Sequence, residues 1–90
     1  MYEHKISETL QKIMLKLSKK DKPLYEQLIK KIEEIINSYE IEHYKNLRYN
    51  MKDSKRAHIG HFVLVFQFDK AKNSLNFDDF DHHDKIYKRR

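Results

Sequence analysis

Residues 55–69 read KRAHIGHFVLVFQFD. From His61 onward the run alternates. Phe62, Leu64, Phe66 and Phe68 fall on one face of an extended chain, and His61, Val63, Val65 and Gln67 fall on the other. The first face is wholly apolar and predicts a strand laid against another apolar layer. Gly60, the only glycine in the sequence, suits a tight turn between a strand at 56–59 and one at 62–68. The remainder of the chain has to supply the layer that covers this hairpin.

That layer lies upstream. Ser7 stands before ETLQKIMLKL, where Leu10, Ile13, Met14 and Leu17 recur at spacings of three and four. This is one helical stripe with Ser7 as its N-cap. A break is expected over SKKDKP (18–23), with Pro23 in the first turn of a second helix and Asp21 or Ser18 as its cap. The second stripe is Leu24, Leu28, Ile32, Ile35, Ile36 and Tyr39. Two amphipathic helices with a short polar link predict an antiparallel helical hairpin. Ahead of them, YEHKI (2–6) reads as a short edge strand. After Tyr39, IEHYKNLRYN (41–50) reads as a loop leading to a short strand, and NMKDS (50–54) as an exposed turn. DKAKN (69–73) is a polar turn with Asn73 near its end, SLNFDDF (74–80) a last strand, and DHHDKIYKRR (81–90) a basic tail. The expected fold is α+β: an N-terminal strand and a two-helix hairpin on one face of a mostly antiparallel sheet of about four strands. The opposite sheet face has no second layer in this reading and is the natural place for a partner or a site.

Ninety residues predict one domain over 1–90, with a thin core that buries about 60–65% of the unfolded surface. The absence of cysteine excludes a disulfide framework and fits a reducing compartment. No segment approaches the roughly 20 apolar residues of a membrane span, and MYEHKISETL lacks the apolar run of a signal peptide. The expectation is a cytoplasmic protein with no membrane association. A net charge of +5 favours a polyanionic partner, either nucleic acid or an acidic protein.

The DHHD stretch at 81–84 contains proper transition-metal ligands. Adjacent residues, however, point to opposite faces of a strand and lie about 100° apart on a helix. His82 and His83 are therefore not expected to complete one site, and no metal or other cofactor is expected. Cutting RNA without a metal needs a base for the ribose hydroxyl, a clamp for the phosphate, an acid for the leaving oxygen and a hold on the bases. Arg56 and His58 are two apart and share a strand face. His83 and Tyr87 are four apart and share a face if the tail is helical. The same residues also suit a solvated basic edge strand and a tail whose tyrosine merely packs.

The order KNLR (45–48), KRAHIGHFVLVFQF (55–68), FDHHDKIY (80–87) resembles the RelE/ParE toxin superfamily. That pattern runs from a leucine-containing loop through an Arg-x-Arg-x-Gly turn and an aromatic–Arg pair in an apolar strand. A His-Arg pair and a Val-Tyr ending follow. The resemblance covers most of the chain, including its two-helix half. It implies the toxin of a type II toxin–antitoxin system. RelE-type members cut mRNA in the ribosomal decoding site without a metal, ParE-type members inhibit DNA gyrase, and both are neutralised by an antitoxin that wraps the toxin.

Carried over, the resemblance puts Arg56 and His58 at the basic pair before the glycine, Gly60 at the turn and Phe62 at the strand aromatic. His82 and His83 take the His-Arg pair, and Ile86 and Tyr87 the Val-Tyr ending. The implied catalytic set is Arg56, His58, His83 and Tyr87, with Lys45, Arg48, Lys52, Lys55, His61 and Lys88 contacting RNA. The implied partners are ribosome-bound mRNA and an acidic, RelB-like antitoxin in a two-plus-two complex. Val63 departs from the pattern, since it stands where RelE-type nucleases generally carry an arginine, and restoring arginine there is expected to raise or preserve activity. The alternative is a RelE/ParE-fold protein that acts by binding, such as a gyrase poison or a weakly active toxin.

Overall fold

The computed structural model describes residues 2–47 and 54–89. In chain order the elements are β1 (Glu3–Ile6), α1 (Glu8–Lys20), α2 (Lys22–Ile36), a 3₁₀ turn (Ile41–His43), β2 (Ser54–Ile59), β3 (Phe62–Asp69), β4 (Ser74–His82) and α3 (His83–Arg89). The sheet order is β1-β4-β3-β2. β1 runs parallel to β4, and the other two pairings are antiparallel. This is the expected α+β arrangement, with the first strand at an edge.

The helices start where the sequence places their caps. Ser7 Oγ accepts the Leu10 N–H at 3.1 Å and donates to the Asp78 carbonyl at 2.6 Å, so one hydroxyl begins α1 and ties it to β4. Asp21 both ends α1 and begins α2. Its N–H reaches the Leu17 carbonyl at 2.8 Å, and its carboxylate accepts the Leu24 N–H at 3.2 Å. The break is thus narrower than residues 18–23. Ser18 stays helical, with its hydroxyl bonded back to the Leu15 carbonyl at 2.7 Å.

Leu10 of α1 and Leu28, Ile32, Ile35 and Ile36 of α2 form one core with Leu64, Phe66, Phe77 and Phe80 of the sheet. Leu24, Phe62 and Phe68 pack at its margin. Tyr39 departs from the expected stripe and is 98% exposed. α2 ends at Ile36 with Asn37 as its C-cap, so the helical period no longer governs position 39. Both turn residues behave as expected: Gly60 has φ +59° and Asn73 φ +53°, the left-handed region that these residues enter most easily. Of the turn expected at 50–54, Ser54 opens β2 and the other residues lie outside the described set.

The second sheet face differs from expectation, for it is covered. Val63 and Val65 are fully buried on it, packed with Leu47 and with Ile86 of α3. The basic tail folds back as a short helix and closes a second, smaller core. A register shift between Val65 and Phe66 makes this two-sided packing possible. Phe77 and Phe80 are three residues apart, yet the bulge turns both toward the larger core. Asp79 and Asp81 then pair with Val65 and Val63 on the α3 side.

Candidate catalytic and RNA-binding site

Arg56 and His58 sit opposite Val65 and Val63 in the β2–β3 register, so both project from the face that α3 covers. Tyr87 reaches that face from α3. Arg56 Nη1 donates to the Tyr87 hydroxyl at 2.6 Å, a direct contact between two of the expected catalytic residues. Three links hold it: β2 fixes Arg56, Ile86 seats α3 on Val63 and Val65, and Arg89 fastens the end of α3 to β4.

The Arg89 clamp spans two carboxylates. Nη1 donates to Asp81 Oδ2 and Nη2 to Asp79 Oδ2, each at 2.9 Å. Each aspartate also accepts the N–H of the following residue, Phe80 and His82, at 2.8 Å. Partial burial pushes the Asp81 carboxyl up. The Arg89 hydrogen bond and the His82 N–H outweigh it, so Asp81 stays below the ordinary carboxylate range. Its hydrogen bonds to Asp81 and Asp79 in turn raise the Arg89 guanidinium above its ordinary value. Asp81 is therefore bound up in holding α3. Neither Arg89 nor Asp79 was identified from sequence; they are ten positions apart, and no local spacing rule pairs them.

His83 lies one helical turn before Tyr87, in a separate group. Its N–H donates to the His61 carbonyl at 2.9 Å, which fixes the start of α3 against the β2–β3 turn. The His82 and His83 rings stack with centroids 4.5 Å apart, and the His61 ring lies 6.1 and 6.3 Å from them. His58 is exposed on the same sheet face as Arg56. The expected site thus resolves into an Arg56–Tyr87 contact and a histidine group at the turn end of the sheet.

The basic residues divide as well. Lys45 is exposed, and its carbonyl accepts the Arg56 N–H at 2.9 Å, which lays its loop beside β2. Lys55 is buried; its ammonium donates to the Tyr44 carbonyl at 3.2 Å and to Asn46 Oδ1 at 3.4 Å. These bonds anchor that loop to β2. His61 and Lys88 are exposed. Arg48 and Lys52 lie outside the described residues. A groove of about 1360 Å³ runs past Lys45, Lys55, Arg56 and Tyr87, with Glu42 and Lys70 on its rim. Burial, with a smaller contribution from Glu34, raises the Tyr44 phenol above its ordinary value. Its ring packs edge-to-face on Phe66 at 5.6 Å, a structural placement.

Val63 is fully buried in the cluster that Ile86 completes. The strand position where an arginine was expected to restore phosphate binding opens onto the underside of α3. An arginine placed there would meet Ile86 and the underside of α3 before it reached the groove.

No family model matches the chain. RelE4, a candidate toxin of Methanocaldococcus jannaschii, is 50% identical over 91 residues, covering all of this chain and 95% of that protein. The chain belongs to the RelE toxin family. An uncharacterised protein of Methanosarcina mazei is 44% identical over 88 residues, covering 97% of the chain and 100% of that protein. Two solved structures share the fold. The isolated RelE toxin of E. coli matches with TM-score 0.73 at 24% identity, covering 99% of this chain and 98% of that one. A chain of the Mycobacterium tuberculosis RelBE2 toxin–antitoxin complex matches with TM-score 0.66 at 18% identity, covering 90% and 96%.

Proposed function

We propose that this RelE-family chain is the toxin of a type II toxin–antitoxin pair and acts as a metal-independent endoribonuclease on ribosome-bound mRNA. The observation that carries the reading is the 2.6 Å contact between Arg56 and Tyr87 beside a groove bordered by exposed Lys45. A guanidinium bonded to a phenol brings a phosphate clamp and a proton-carrying hydroxyl to one point.

In the proposed reaction the ribose 2′-hydroxyl loses its proton to His58 or His83 and attacks the adjacent phosphorus. The bond from phosphorus to the 5′-oxygen breaks, Tyr87 or a histidine protonates that oxygen, and a cyclic phosphate remains upstream. Arg56 and Lys45 stabilise the charge on the phosphate oxygens in transit. Lys88 extends the cationic surface along the RNA with His61 as a further polar contact, and Arg48 and Lys52 are assigned to RNA binding as well. A RelB-like acidic antitoxin, in a two-plus-two complex, is the proposed partner in the cytoplasm. The net charge of +5 favours it, and the M. tuberculosis relative was solved with its antitoxin.

Toeprinting of a translated message tests the reading. New message ends at the ribosomal A site are expected with the wild-type chain and are reduced about 10²-fold by Tyr87→Phe. Intact message together with accumulating gyrase–DNA cleavage complexes would replace the nuclease with a poison that acts by binding.

A further inference from the structure

The adjacency of His82 and His83 argues against a shared site on either a strand or a helix. The chain does neither across this pair. His82 is the last residue of β4 and His83 the first of α3, and the change of backbone direction between them stacks the two rings. Asp84 then places its carboxylate between them. Its Oδ1 is 3.1 Å from His83 Nδ1, and its Oδ2 is 3.6 Å from His82 Nδ1. Potential ligand atoms of the three residues all lie within 4.8 Å of one another.

We propose that His82, His83 and Asp84, with His61 as fourth ligand, form a binding site for a borderline divalent transition-metal ion, Zn²⁺ foremost. Tetrahedral zinc with Zn–N bonds of about 2.0–2.1 Å holds its ligand atoms about 3.3 Å apart. The present spacing has to close toward that value on binding, and all three side chains are at least 38% exposed and have room to rotate. The Asp84 N–H occupies His82 Nδ1 through a long 3.3 Å contact, which a metal bond displaces, or which stays if His82 presents Nε2.

His61 is brought to the group by the sheet itself. The His83 N–H holds the His61 carbonyl at 2.9 Å, and the His61 ring lies 6.1 and 6.3 Å from the other two. Two or three imidazoles and one carboxylate are a borderline donor set that suits zinc and nickel and disfavours magnesium. The metal would pin the β2–β3 turn to the start of α3. It also holds His83, so where the proposed cleavage chemistry applies, bound zinc restrains that histidine and a chelator raises cleavage.

The binding test needs no RNA, so its outcome is separate from the nuclease reading. Untagged, chelator-stripped protein is titrated calorimetrically with ZnCl₂, and with MgCl₂ for comparison. One zinc per chain with micromolar affinity is expected, with no magnesium signal. His82→Gln and Asp84→Asn, both on the surface, each weaken zinc by about tenfold or more. In the wild type, imidazole NMR resonances of His82 and His83 shift on addition of zinc while that of His4 does not. The absence of saturable zinc binding below millimolar concentration would overturn the proposal. So would wild-type affinity in both variants, or resonance shifts confined to histidines outside the group.

Discussion

Replacing Ile86 with alanine should release α3 from the sheet without unfolding the rest. α3 has seven residues, far below the length at which a helix is stable alone, so its helicity depends on docking. Ile86 is fully buried on Val63 and Val65, and Arg89 supplies the other hold. Ile86→Ala removes about three carbons of buried surface at about 0.8 kcal/mol each, or about 2.4 kcal/mol, and the residual cavity adds to this. The docked-to-undocked ratio then falls roughly fiftyfold or more. Native-state hydrogen exchange reads this directly. Amides in the last turn of α3 should exchange at least that much faster, while those of Leu64 and Phe66 in β3 keep their protection. If the α3 amides hold wild-type protection, or lose it only together with β3, then α3 is not a separately released unit and the reasoning fails.

Arg89→Ala should cost about 1–3 kcal/mol by leaving Asp79 and Asp81 without their guanidinium, measured as a lower urea midpoint. Because the folded Asp81 carboxyl sits below its ordinary value, its contribution is complete above about pH 4 and disappears as pH falls through the lowered value. Wild type should therefore lose stability on acidification below about pH 4 more steeply than Asp81→Asn. Val63→Arg should lower stability by about 3 kcal/mol or more, as a charge forced into a closed core, and should not raise cleavage; a stable, more active variant would contradict the placement of α3. Arg56→Ala should weaken RNA binding with a reduced salt slope in filter binding, whereas Tyr87→Phe should lower single-turnover cleavage about 10²-fold with RNA affinity unchanged.

Much of the fold was legible because its signals are local. The alternation from Phe62 to Phe68, the stripes from Leu10 and Leu24, and the caps at Ser7 and Asp21 all concern residues within a few positions of each other. The second core was less visible, although a signal existed. FVLVF is apolar at every position, which marks a strand buried on both faces, whereas the reading weighted only the phenylalanine–leucine face. α3 offered too few residues to display a stripe. Tyr39 misled because apolar spacing persists past the true cap at Asn37.

Within the site, shared faces were legible for Arg56 and His58 from strand alternation. The Arg56–Tyr87 contact joins residues 31 apart and depends on α3 docking, which periodicity does not report. The Arg89 clamp and the histidine stacking depend on a strand-to-helix junction with no sequence period at all.

The pairing of β1 with β4 has a consequence for when this protein acquires its shape. Glu3–Ile6 align with residues 74–77, and the hydroxyl that starts α1 bonds the carbonyl of Asp78, 71 positions later. On the ribosome, at about 5–20 residues per second, the first strand waits several seconds for its neighbour to be made. Until then the helical hairpin has only the β2–β3 pair to cover, and the segment bearing Tyr87 does not yet exist. The finished pairings all need the C-terminal half: β4 pairs with β3, β1 with the other side of β4, and α3 covers the opposite face. A nascent chain of this kind carries neither a finished core nor a finished Arg56–Tyr87 contact until nearly all of these 90 residues have emerged.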